Sequence, residues 1–118
     1  MTQKIAVIDY GMGNLRSVSK AIEHVAGNAE VRVTDDHQYI KQADRVVFPG
    51  QGAARDCMAA IGDHHLNEAV LDAAKNKPFF GICMGLQVLM THSEENDGTD
   101  LLGLFLGICN ELWIPVAA

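Results

Sequence analysis

Unbroken apolar runs alternate with segments of helical spacing along the first four-fifths of this chain. Lys4 to Tyr10 (Lys-Ile-Ala-Val-Ile-Asp-Tyr) is apolar without alternation, as a strand buried on both faces of a parallel sheet requires. Gly11-Met12-Gly13-Asn14 predicts a tight loop. Leu15 to Ala26 then has helical spacing, with Leu15, Val18, Ile22 and Val25 on one stripe. Asn14 can cap that helix and Gly27-Asn28 can end it. Glu30 to Thr34 reads as a second strand with Val31 and Val33 on one face, and Asp35-Asp36 starts a short helix over Gln38, Tyr39 and Ile40. A third strand, Asp44 to Phe48, is expected to stop at Pro49-Gly50-Gln51-Gly52. Helices follow from about Ala53 to Ile61 and from Leu66 to Asn76. Phe79-Phe80-Gly81-Ile82, bounded by Pro78, reads as a buried fourth strand, and Leu86 to His92 has the composition of a helix. Strands alternating with helices at this spacing predict βαβ units, hence an α/β fold with an open parallel sheet and helices on both faces.

Such sheets place their sites at the carboxyl ends of the strands. Three glycine-rich corners fall there: Gly11 to Asn14, Pro49 to Gly52, and Gly81-Ile82-Cys83-Met84-Gly85. The last is Gly-x-Cys-x-Gly at a strand-to-helix turn, the cysteine counterpart of a nucleophile elbow. Small neighbours are needed because the elbow strains the nucleophile's backbone and packs chain closely against it. A helix beginning there directs its unpaired N–H groups toward the sulfur and favours thiolate. The competing reading is a buried cysteine between two incidental glycines. An elbow also needs two backbone donors for an oxyanion. Met84 is expected to supply one, and Gly50 or Gln51 the other. Gly11-x-Gly13 is not a dinucleotide fingerprint, because Arg16 stands where the third glycine belongs.

Composition narrows the partners. The 118 residues are one domain at most, and their net charge of −6 comes without a block of like charge, which argues against nucleic acid or an anionic membrane. Met1 to Lys4 leads into an apolar run too short for a signal peptide, and no run is long enough to span a bilayer. Cys57, Cys83 and Cys109 are an odd count without disulfide or metal spacing, as in a reducing cytoplasm.

Ile8-Asp9-Tyr10-Gly11-Met12-Gly13-Asn14-Leu15, Phe48-Pro49-Gly50-Gln51-Gly52, Gly81-Ile82-Cys83-Met84-Gly85-Leu86-Gln87 and Ser93-Glu94-Glu95 occur in that order. Over roughly residues 4 to 104 the chain thereby resembles the glutaminase subunits of imidazole glycerol phosphate synthase, class I (triad-type) glutamine amidotransferases of histidine biosynthesis. The resemblance implies a flavodoxin-like sheet and no cofactor. It implies that Cys83 attacks the side-chain amide of glutamine, forming a thioester and releasing ammonia to a barrel-type synthase (cyclase) subunit. By the same resemblance Gln87 and Glu95 hold the substrate, and the Gly50 region is the oxyanion strand. Read without the family, Gln87 lies one helical turn from Cys83 on the same face, and an acidic residue such as Glu95 could meet an α-ammonium group.

The family completes its triad with a His and a Glu far downstream of the cysteine. None of His24, His37, His64, His65 and His92 falls there, and only 35 residues follow Cys83. The expectation is a domain incomplete at its C-terminus and inactive alone: residues 1–104 as a partial amidotransferase domain, residues 105–118 as an atypical apolar tail with Trp113 buried. An incomplete sheet would expose apolar surface, so pairing of copies is expected. Two other readings stay open: a non-catalytic remnant that only docks or oligomerises, and another elbow-cysteine enzyme of protease-like or glyoxalase-like type. In that last group a His usually follows the cysteine, whereas Met84 follows here.

Overall fold

The computed structural model describes residues 2–94 and 97–109, the last two by backbone alone. The expectations for Glu95, Trp113 and the tail beyond 109 lie outside these residues. Strand β1 (Lys4–Ile8) runs between β2 (Glu30–Thr34) and β3 (Arg45–Gly50), and β4 (Phe79–Cys83) pairs along the far side of β3. All pairings are parallel, in the order β2-β1-β3-β4, the flavodoxin-like order.

Alternation along β1 divides the interior in two, because successive side chains point to opposite faces. Ala6 and Ile8 join Val46 and Phe48 in the larger core. Helices α2 (His37–Gln42), α3 (Ala54–Asp63) and α4 (Asn67–Asn76) contribute Ile40, Cys57, Ile61 and Val70 to it. Ile5, Val7 and Val47 form a smaller cluster under α1 (Leu15–Val25), which supplies Leu15, Val18 and Ile22 but buries no residue fully. Val25, expected on the same stripe, is 80% exposed. The caps follow expectation: the Asn14 side chain accepts from the Ser17 N–H, and Asp36 does the same for Gln38 at the start of α2.

Three expectations need correction. The third strand does not stop at Pro49 but runs on to Gly50. Pairing of β3 with β1 ends at Val47, so Pro49, which has no N–H to donate, interrupts no ladder on that side and keeps its register with Ile82. The fourth strand is not buried: it is the sheet edge among the described residues, and Phe80 is 64% exposed. The elbow helix α5 is a single turn, Met84–Gln87, rather than a helix reaching His92. The N–H groups of Thr91 and His92, which a helix reaching His92 would donate to Gln87 and Val88, donate instead to the Gly107 carbonyl, and the Val88 carbonyl accepts from Leu102. That capture leads His92 into a small second sheet absent from the sequence reading, made of β5 (His92–Ser93), β6 (Thr99–Asp100) and β7 (Ile108–Cys109) in the order β6-β5-β7.

Candidate functional site

Cys83 is the last residue of β4 and stands at φ 53°, ψ −118°, a left-handed conformation that costs a side-chain-bearing residue on the order of 1–3 kcal/mol. The strain is maintained from behind. Met84 and Gly85 are buried, and Gly85 lies against the Phe48 carbonyl so closely that no side chain fits. The result is an exposed sulfur on a turn that the rest of the domain holds in place.

The three glycine corners come together at this end of the sheet. Gly50 is the register partner of Cys83. A side chain on Gly50 would collide with the Tyr10 hydroxyl and lie 3.0 Å from the Gly85 nitrogen. One on Gly13 would lie 3.4 Å from the Gly50 nitrogen. Loops after β1, β3 and β4 therefore meet backbone to backbone, which only small residues permit.

Under residues 49–52 sits a buried polar pair that the sequence reading passed over. The Tyr10 hydroxyl, 1% exposed, donates to the Pro49 carbonyl at 2.7 Å. The Cys57 thiol, fully buried, donates to the Gln51 carbonyl at 3.4 Å. Burial first, and then the neighbouring Cys57, pushes the Tyr10 phenol well above its usual range, so it stays a donor at any ordinary pH. Cys57 is thus an interior group, unlike Cys83, although both are plain cysteines in the sequence.

The remaining site residues are less fully placed. Met84 directly follows the nucleophile, and Gln51 is exposed beside Gly50. Gln87 is half-buried at the end of α5, one turn from Cys83. Among the described residues no histidine is hydrogen-bonded to Cys83. His64 Nδ1 lies 3.1 Å from Asp35, and His92 Nδ1 lies 3.0 Å from Asp100 across the β5–β6 pair. The sequence contains one His-x-Glu triplet, His92-Ser93-Glu94, which falls nine residues after Cys83 and not far downstream. Among the described residues no group of three or more metal-ligating side chains converges, and no helix is long and apolar enough to cross a membrane.

Residues 6–97 match the family model described as glutamine amidotransferase class-I. The imidazole glycerol phosphate synthase subunit HisH of Thiobacillus denitrificans is 64% identical over 107 residues, covering 91% of this chain and 46% of that protein. The HisH subunit of Dechloromonas aromatica is 60% identical over 105 residues, 89% of this chain and 48% of its own length. For HisH 1 of Pseudomonas aeruginosa the figures are 56% over 107 residues, 91% and 50%. The chain spans about half the length of the curated relatives it matches. On its parallel sheet, its elbow cysteine and a match across most of its length, the chain belongs to the class-I glutamine amidotransferase family.

Proposed function

We propose that these residues form the nucleophile half of a glutaminase that serves imidazole glycerol phosphate synthesis in histidine biosynthesis. The observation that carries this reading is Cys83: exposed, held at positive φ, and in register with Gly50 at the carboxyl edge of the sheet. In the proposed reaction the Cys83 thiolate adds to the side-chain amide carbon of glutamine. The tetrahedral oxyanion is met by the N–H of Met84 and that of Gly50 or Gln51. The C–N bond breaks as a proton reaches the leaving nitrogen, giving ammonia and a glutamyl thioester, which water then cleaves to glutamate and thiol. Gln87 and Glu95 are assigned to holding the glutamine, and the ammonia goes to a barrel-type cyclase subunit. The setting proposed is the reducing cytoplasm, and the chemistry requires no cofactor.

The proton for ammonia needs a donor. His92 is already paired with Asp100, and the resemblance places the family's triad His and Glu far downstream of the cysteine, where none of this chain's five histidines falls. Turnover by these 118 residues alone is therefore expected to be marginal, since loss of one triad member costs on the order of 10⁴-fold or more. Two measurements test the reading. Cys83 is expected to be alkylated before Cys57 or Cys109, as read by mass spectrometry of partially labelled protein. Glutamate release is expected to stay at background for the chain alone. Earlier labelling of Cys57 or Cys109 would remove the nucleophile assignment. Robust turnover that disappears in Cys83→Ala would show that a base is present after all, with His92 the first residue to replace.

The exposed face supports a second reading, association of two copies. A groove of about 420 Å³ lies between α1 and the sheet, lined by Val18, Ile22, Val25, Val47, Phe80 and Ile82. Beside it runs the outer edge of β4, which has no strand partner among the described residues. A second copy presents the same edge, and a two-fold axis lets each satisfy the other's backbone groups while shielding Phe80.

A further inference from the structure

Tyr10 and Cys57 come from different elements, 47 residues apart, yet both donate into one short stretch, Pro49 to Gly52, where β3 ends and the chain turns away. Their acceptors are the carbonyls of Pro49 and Gln51, on either side of the Gly50–Gln51 peptide. A peptide unit is planar, so a carbonyl held on one side sends the N–H of the next residue to the other. Tyr10 thereby sets the orientation of the Gly50 N–H, and Cys57 that of the Gly52 N–H. Gly50 is held as well by the β3–β4 pairing, in register with Cys83, so the two side-chain donors act on the end of a strand that is already docked. Neither donor is loose: Tyr10 packs against Phe48 in a tilted pair with ring centroids 5.1 Å apart, and Cys57 is fully buried on α3. Gly50 has no side chain because the Tyr10 hydroxyl occupies the space one would need.

We propose that Tyr10 and Cys57 are positioning residues that clamp residues 49–52, the end of β3 and the turn after it, fixing their N–H groups relative to the Cys83 sulfur. The inference rests on the reading of residues 50–51 as oxyanion donors. Neither side chain is assigned contact with the substrate; both act through the peptide planes of that stretch. Misplacing a donor by a fraction of an ångström is enough to weaken its hydrogen bond to a developing oxyanion.

The test compares two electrophiles on the full chain, with mass spectrometry assigning reaction to Cys83. Acylation by p-nitrophenyl acetate passes through a tetrahedral oxyanion, whereas alkylation by iodoacetamide is a displacement that forms none. The informative quantity is the acylation-to-alkylation rate ratio at Cys83, compared with that of glutathione. Tyr10→Phe is expected to lower the ratio by ~10- to 100-fold while alkylation stays at the wild-type rate. Cys57→Ala is expected to lower it as well, and Cys57→Ser, which keeps a donor, to restore it. If Tyr10→Phe does not fold, the Cys57 pair decides alone. An unchanged ratio in the folded variants overturns the clamp. So does a parallel fall in both rates, which would mark general damage to the elbow. A wild-type ratio no higher than that of glutathione removes the oxyanion reading itself, and the clamp with it.

Discussion

Gly85→Ala is the most demanding test of the elbow as built. The methyl group would lie 2.7 Å from the Phe48 carbonyl carbon, closer still to its oxygen, and 3.2 Å from the Pro49 carbonyl carbon. These are backbone atoms of a strand paired with β4, so no flexible side chain can swing away to absorb the contact. Relief requires β3 and α5 to separate by more than an ångström, opening the Phe48 and Met84 region of the larger core. Overpacking a core by a methyl group costs typically 1–3 kcal/mol, and a backbone collision belongs at the top of that range, about 3 kcal/mol. With a urea dependence of ~1.5 kcal/mol per molar, the unfolding midpoint should fall by ~2 M. Gly62→Ala is the matched control. Gly62 lies in α3 with nothing within 4 Å of the added methyl, so alanine there should raise stability by up to ~1 kcal/mol. A Gly85→Ala midpoint within ~0.3 M of wild type would refute the close approach of β3 to the elbow. The account of why Gly81 and Gly85 flank Cys83 would go with it.

Three further outcomes follow from packing and charge. Lys77 donates from its ammonium group to the carbonyls of Ile40, Lys41 and Ala43 at 2.7–2.9 Å, closing the end of α2, so Lys77→Met should cost ~2 kcal/mol in urea unfolding; an unchanged midpoint would mean the carbonyls are equally well served by water. The Tyr39 phenol is pushed up to about 12 by burial and then by its bond to Glu30. Its contribution is complete below pH 10, the unfolded value, and is lost as pH rises toward 12; Tyr10 adds to the loss in the same sense, so Tyr39→Phe should flatten part of the alkaline slope and leave the acid side alone. Phe80→Lys, at an exposed edge position, should leave stability within ~0.5 kcal/mol but lower the weight-average mass in sedimentation; equal association of variant and wild type would sink the pairing of copies through β4.

Much of this was legible in the chain because it depends on residues close in sequence. Ile5 to Ile8 and Val46 to Phe48 read as sheet interior since both their faces are buried, and a short run without alternation that ends at a glycine-rich corner favours a buried strand over a helix. The spacing of Gly81, Cys83 and Gly85 announced the elbow, and the structure shows what the glycines are for: Phe48 and Leu86 backbone stand where side chains would be. Asn14 and Asp36 capped helices as their positions foretold, because capping is settled within three residues. Tertiary structure alone decided the rest. The sequence of β4 resembles an interior strand, but whether its Phe80 is buried depends on what lies beyond the sheet edge, and no local pattern carries that. The elbow helix stopped after one turn because Gly107 took the N–H groups of Thr91 and His92 and Leu102 took the Val88 carbonyl, a competition between groups about fifteen residues apart. Tyr10 and Pro49 meet across 39 residues, and His92 finds Asp100 only once β5 and β6 pair. Residue type and spacing determine which backbone conformation a segment prefers; which polar group it meets, and which face stays wet, is set only when distant segments compete for the same hydrogen bonds and the same surface.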